Sequence, residues 1–156
     1  YGKPKSRGHN IITSLELDSV KQEIFNHKLQ AKYREMEKND TRYEEIMCED
    51  ADYVIVAYGS SARISHKALQ LAREKGIKVG LLRPITLFPF PSEPIKQLAQ
   101  RVKGILTVEM SAGQMVKDVQ LASDFKCPVK YFGRYGGIIP TPQEVLEALE
   151  NDLIKG

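Results

Sequence analysis

Along this chain the hydrophobic positions switch between two periods, and the switches mark its elements. Tyr53–Ala57, YVIVA, is apolar or aromatic without alternation, the pattern of a strand buried on both faces of a parallel sheet. Gly59 ends the run. Ser60 and Ser61 offer side-chain oxygens for a helix N-cap, and Ile64, Ala68, Leu69, Leu71 and Ala72 then fall near helical spacing. A helix from about Ser61 to Lys75 is predicted, closed by Gly76. The alternation then recurs. A strand is predicted over Lys78–Leu82, then a helix capped by Ser92 and carrying Ile95, Leu98, Ala99 and Val102. The third strand, Gly104–Val108, ends in Glu109 and leads to a helix bearing Met115, Val116, Val119, Gln120 and Ala122. A fourth strand, Pro128–Phe132, precedes a helix opened by the capping box Thr141, Pro142, Glu144 and faced by Leu146, Leu149 and Leu153.

The stretch before Tyr53 reads differently. Tyr1–Asn10 is basic, rich in glycine and proline and without periodicity, and predicts an arm or linker, here residues 1–17, continuing from an upstream domain. A helical extension is predicted over 18–50, with Ser19 as N-cap and Gln22 as its capping-box partner. Val20, Ile24, Leu29, Tyr33 and Met36 form its narrow apolar stripe, expected to dock along one edge of a domain. Asn39 and Asp40 break the helix, leaving a second short helix over Tyr43, Ile46 and Met47. Residues 51–156 then form a three-layer α/β/α domain with an open, mainly parallel sheet. The loop RPITLFPFPSEP holds four of the eight prolines. It is expected to be extended and pinned by Ile85, Leu87, Phe88 and Phe90.

Composition narrows the function classes. A net charge of +3 among 23 basic and 20 acidic residues forms no basic stripe interleaved with aromatics, which argues against nucleic acid. The apolar runs are too short for a membrane span, and no signal peptide opens the chain. Cys48 and Cys127 are solitary, giving neither a CxxC pair nor a four-ligand metal site. Two lone thiols suit a reducing cytoplasm. His9, His27 and His66 have no partner at metal-ligand spacing.

In open α/β sheets function gathers where the strands end at their carboxyl edge. There the sequence places Gly59, Ser60, Ser61, Arg63, Arg83, Glu109, Gln114 and Arg134, as candidates for anion binding or contact between domains. The Gly59–Arg63 turn either cradles an anion at a helix start or only turns and caps the chain. Glu109 can act as acid or base, can receive backbone N–H groups, or can pair with Arg83 or Arg134 and tie two loops; the pairing is favoured, since no second acid, nucleophile or metal ligand accompanies it. Arg134 meets an anion or partner, or is a solvated loop charge. The dinucleotide fingerprint GxGxxG, the phosphate loop GxxxxGK[ST], GxSxG and HExxH are all missing from the sequence, so no catalytic residue is assigned.

YGSSAR (58–63), LRPITLFPFP (82–91), VEMSAGQM (108–115) and GRYGGIIPTPQEV (133–145) stand in this order on successive strand ends. Together they resemble the transketolase C-terminal-like domain of the alpha subunit of 2-oxoacid:ferredoxin oxidoreductases, especially the 2-ketoisovalerate and 2-oxoglutarate types, over about residues 15–150. The resemblance implies a complex that converts a 2-oxoacid and coenzyme A to acyl-CoA, CO2 and reduced ferredoxin. It implies thiamine diphosphate, Mg2+ and iron–sulfur clusters elsewhere in that complex and no cofactor in this chain. The implied partners are an upstream pyrimidine-binding domain, a thiamine-binding beta subunit, gamma or delta subunits, and ferredoxin. The chain alone would then be inactive, serving assembly and the edge of the active-site region. Where the family's ExNxGQ pattern has asparagine, this sequence has Ser111. A free-standing anion- or nucleotide-binding module built on Gly59–Arg63 is the alternative.

Overall fold

A computed structural model describes residues 3–11 and 14–155, so the part of the predicted arm formed by Tyr1, Gly2, Ile12 and Thr13 lies outside the described residues. The chain divides into a unit ending at Glu35 and a unit beginning at Met36. In the first, Lys3–Ile11 has no helix or strand. Helix α1, Ser19–Asn39, runs across the boundary and buries none of its residues fully. Its cap is Asp18 and not Ser19, since the Asp18 carboxylate accepts from the backbone N–H groups of Val20 (3.0 Å) and Lys21 (3.2 Å). A charged acceptor at the positive end of the helix outcompetes a hydroxyl.

The second unit is built on a five-stranded sheet in the order β1-β3-β2-β4-β5. Strands β2 (Tyr53–Ala57), β3 (Val79–Pro84), β4 (Gly104–Glu109) and β5 (Val129–Gly133) are parallel, as expected. Strand β1, Tyr43–Ile46, is antiparallel to β3 and replaces the short helix expected there. The reason is tertiary: left bare, the outer side of β3 would present unpaired backbone groups. Residues 43–46 satisfy them, with Arg42 C=O also accepting from Ile85 N–H (2.9 Å).

Helices cover both faces, giving the expected three layers. Alternate residues of β2, β3 and β4, among them Ile55, Leu81 and Leu106, pack against α2 (Gly59–Glu74) and α5 (Pro142–Ala148). Their neighbours Val54, Leu82 and Ile105 face α3 (Ser92–Ala99) and α4 (Met115–Ala122). Beyond α5 the chain continues as a π-helical segment, Leu149–Ile154, that keeps Leu149 in the core. Pro91, not Ser92, is the N-cap of α3. The proline-rich loop is pinned by Thr86, whose hydroxyl accepts from Arg42 N–H (2.9 Å) and donates to Pro89 C=O (2.8 Å), and by Phe90 packed on the core. Ile85, Leu87 and Phe88 stay exposed.

The turn joining β1 to β2 is held by two arginines. Arg73 donates to Met47 C=O and to both carboxylate oxygens of Asp50, and Arg101 donates to the Cys48 and Glu49 carbonyls. Inside this turn, burial pushes the Cys48 thiol up to about 11 from 9.0. A folded-state pKa above the unfolded one adds stability that is complete below pH 9 and is lost as pH rises through the folded value near 11. In urea titrations the native chain should therefore lose stability between pH 9 and 11 relative to Cys48→Ala. Parallel pH profiles of the two proteins would refute the assignment.

Candidate functional site at the carboxyl edge of the sheet

The chain leaves β2 toward β3 on one side and leaves β4 toward β5 on the other, so the topological switch point lies between β2 and β4. The eight sequence-chosen residues gather at this edge in two groups.

Gly59, Arg63 and Arg83 line one groove with Glu44, Ile46, Ala62, His66 and Leu81, around a cavity of about 350 Å³. Gly59 holds φ at 55°, a left-handed value that glycine adopts without strain, and so turns the chain from strand to helix. The serines do not cap. Tyr58 occupies the N-cap position with no side-chain bond; Ser60 is exposed, while Ser61 points its bulk inward and is buried. The first turn of α2 contains no acidic residue, which leaves its N–H groups and the exposed Arg63 as the positive features of the groove. Arg83 is neutralised by Glu44 at 3.1 Å, its direct cross-strand partner in the β1–β3 ladder. That pair was invisible while residues 43–47 read as helix.

Glu109, Gln114 and Arg134 form the second group, but without the expected ion pair. Glu109 is 0% exposed. Its Oε2 accepts from the Ser111 hydroxyl (2.8 Å) and from the backbone N–H groups of Gln114 (3.0 Å) and Met115 (2.9 Å), and its Oε1 accepts from Val116 N–H (2.9 Å). The carboxylate is thus a cap that reaches from the end of β4 to the start of α4, and the helix N–H groups satisfy it better than a distant guanidinium would. Ser111 supplies a donor at the position where an asparagine amide was expected, and its carbonyl accepts the Tyr131 hydroxyl. Gln114 contributes its backbone N–H, with the side chain exposed.

Arg134 pairs instead with Glu144 at 2.7 Å, while its backbone N–H donates to Glu109 C=O (3.2 Å). Glu144 also closes the Thr141 capping box as its sequence pattern foretold. The backbone N–H and hydroxyl of Thr141, then Arg134, hold the Glu144 carboxyl below the usual range. This contribution is present above the unfolded pKa and fades as pH falls through the lowered folded value. The double duty of Glu144 had no local signal, because a contact across ten residues of loop follows from how the loop closes.

Thr107, on the same strand face as Glu109, is 0% exposed, and its Oγ1 has no hydrogen-bond partner among the described residues. Removing an unsatisfied buried hydroxyl without changing shape should help. Thr107→Val is expected to raise stability by about 1 kcal/mol, roughly 2–4 °C in Tm. A lower Tm by calorimetry would show that the hydroxyl has a partner in solution.

No cluster of three or more His, Cys, Asp or Glu among the described residues has the geometry to hold a metal ion. Cys48 is sealed and held as the thiol, and Cys127 is likewise raised by burial. These are poor ligands for an iron–sulfur cluster, which takes thiolates. The residues present therefore do not fit such a cluster. Nor does either group at the edge include a carboxylate left free for a cation, since Glu44 and Glu109 are both engaged.

Residues 51–145 match the family model of pyruvate:ferredoxin oxidoreductase core domain II. The chain belongs to this family. The chain is 49% identical, over 140 residues, to the ketoisovalerate oxidoreductase subunit VorB of Methanothermobacter marburgensis, a match spanning 90% of this chain and 40% of that subunit. The chain thus spans about 40% of the length of that relative. Among solved structures it superposes on the 2-oxoglutarate:ferredoxin oxidoreductase from Magnetococcus marinus with a TM-score of 0.76 at 20% identity, covering 88% of this chain and 24% of that one. A split-gene transketolase, described as an inactive beta4 tetramer, gives 0.62 at 20% identity over 72% and 41% of the two chains. Both likenesses establish the transketolase-related α/β fold expected from the motifs.

Proposed function

We propose that this chain is the non-cofactor domain of an alpha-type subunit in a 2-oxoacid:ferredoxin oxidoreductase acting on 2-ketoisovalerate. The complex would convert the 2-oxoacid and coenzyme A to acyl-CoA, CO2 and reduced ferredoxin, in the cytoplasm. Thiamine diphosphate with Mg2+, and iron–sulfur clusters, would supply the decarboxylation and the electron path from other domains and subunits. An upstream pyrimidine-binding domain, reached through residues 1–17 and helix α1, a thiamine-binding beta subunit, gamma or delta subunits and ferredoxin are the partners. The 49% identity to the ketoisovalerate subunit carries the substrate class.

The edge itself supports a supporting role in this complex. Every oxygen of the best acid–base candidate, Glu109, is consumed by a helix start and a hydroxyl. Two of the three remaining charged candidates, Arg83 and Arg134, are paired within the domain. What is left is a rigid wall. The 156-residue chain alone should neither oxidise 2-oxoacids nor bind thiamine diphosphate in calorimetric titration, and should be retained by an immobilised thiamine-binding subunit. Micromolar binding of thiamine diphosphate by the chain alone would overturn this reading.

The groove beside Gly59 favours one second reading, an anion- or nucleotide-binding module, because Arg63 faces it beside the uncapped start of α2. Thermal shifts with nucleotides and coenzyme A, repeated on Arg63→Ala, separate the two. Stabilisation by a ligand that disappears in the variant supports the module.

A further inference from the structure

The two ends of the sheet differ in charge. The segments that enter the strands carry Asp50, Asp52, Lys78, Lys103 and Lys126, whereas at the other end, beyond Arg83, Glu109 and Arg134 at the strand ends themselves, the loop stretches Pro84–Pro91, Met110–Gln114 and Tyr135–Pro142 contain no Asp, Glu, Lys, Arg or His. In a chain with 28% charged residues, such a neutral rim is the composition of a covered surface.

The rim exposes apolar side chains after β3, at Ile85, Leu87 and Phe88, and again where β4 and β5 end side by side. Tyr135, Ile138 and Ile139 are 64%, 53% and 62% exposed, and Met110 on the neighbouring loop is 39% exposed. Adjacent strands lie about 4.8 Å apart, so the loops leaving them share one small patch. This tip is held in shape. Arg134 anchors its start through Glu109 C=O and Glu144, buried Pro140 and the Thr141 capping box anchor its end, and the Tyr131 hydroxyl ties β5 to Ser111. Gly136 and Gly137, at φ of 69° and 88°, make the turn between the anchors.

We propose that Tyr135–Ile139 with Met110 is a preformed docking knob, seated in an uncharged apolar hollow formed by the rest of the same polypeptide in the complete subunit. This deepens the assembly role and rests on that reading. Two observations choose the occupant. Four apolar side chains fall far below the roughly 800 Å² per partner of a stable interface between separate proteins, but a tethered surface arrives at millimolar effective concentration and needs no such area. The charges at its base, Arg134 and Glu144, neutralise each other, so the patch offers no net charge to steer a diffusing partner. More than half of the related ketoisovalerate subunit lies outside the stretch matched by this chain, enough polypeptide to supply the hollow.

The test uses the complete subunit that carries this chain, purified with its partner subunits, with the photo-crosslinker p-benzoylphenylalanine in place of Ile138 and, as control, in place of exposed Gln70. Peptide mapping is expected to join position 138 to the same polypeptide outside residues 1–156, with no such product from position 70. Cross-links to a second copy, to another subunit or to nothing overturn the proposal. In a second arm, Ile138→Asp with Ile139→Asp should speed proteolytic release of this domain from the complete subunit at least about tenfold while leaving the Tm of the 156-residue chain unchanged. A fall in that Tm would place both isoleucines in the domain's own core and overturn the knob. Co-purification of the unsubstituted subunit with a thiamine-binding subunit reads the assembly role separately. Its loss overturns that role, whereas retained co-purification without a cross-link overturns only the docking surface.

Discussion

Replacing Glu109 by alanine should destabilise the domain by about 3 kcal/mol, and replacing it by glutamine by about 2 kcal/mol. The alanine variant deprives three backbone N–H groups and the Ser111 hydroxyl of their acceptor at once. Each donor left dry costs on the order of 1–3 kcal/mol, but the costs do not add, because water can reach the half-buried Ser111 end of the site. Glutamine keeps the shape and one oxygen. Turned so that its oxygen meets the three donors on the Oε2 side, it sets an amide N–H against Val116 N–H and gives up the negative charge at the start of α4. The order wild type, then glutamine, then alanine should hold in urea unfolding. Equal losses for the two variants would mean that charge, and not donor count, is what the site requires. The same pair separates an anchor from a catalyst. In the oxidoreductase complex we propose, Glu109→Gln should lower kcat only as far as it lowers the folded fraction, whereas loss of a general acid or base costs about 10²–10⁴-fold.

How far this edge could be read from sequence depended on what kind of partner each residue has. The parallel strands and their helices were legible because burial on both faces writes itself as unbroken apolar runs, as in Tyr53–Ala57, and because Thr141, Pro142 and Glu144 encode a cap within four positions. Glu109 stood out as a carboxylate directly after a buried strand, and the reading favoured for it, a pair with Arg83 or Arg134, gave way to the alternative that it receives backbone N–H groups. The choice among these was not legible, since three of the four donors are backbone N–H groups that any sequence offers. Strand β1 failed for the opposite reason: Tyr43–Ile46 is mostly exposed and short, so only the bare side of β3 makes it a strand. Misreading it also hid the Glu44–Arg83 pair and left Arg83 available, on paper, for Glu109. The serines at 60 and 61 followed cap statistics, yet Gly59 opens the helix from Tyr58 without them.

Gly80→Ala, a single added methyl near the start of β3, should cost about 3 kcal/mol, roughly 6–12 °C in Tm. The backbone conformation there suits any residue, so the penalty is one of space. A Cβ on Gly80 would lie 2.8 Å from Cys48 Sγ, 2.9 Å from Cys48 Cα and 2.9 Å from Met47 C=O. Two of these three neighbours are backbone, and the turn that contains them cannot retreat. Arg73 grips it at Met47 C=O and Asp50, and Arg101 grips it at Cys48 C=O (2.7 Å) and Glu49 C=O (3.2 Å). Adding Cys48→Ala should recover only a minor part of the loss, because it removes the sulfur and leaves both backbone contacts. Adding Arg101→Ala should recover more relative to its own baseline, since a released turn can shift by the few tenths of an ångström that the methyl needs. Neighbours that share a strained contact are coupled, and the sign of that coupling is the informative quantity. If Gly80→Ala costs the same with Arg101 present or absent, the resistance comes from the packing of β2 and β3 themselves, and the arginine grip on the turn has no part in it.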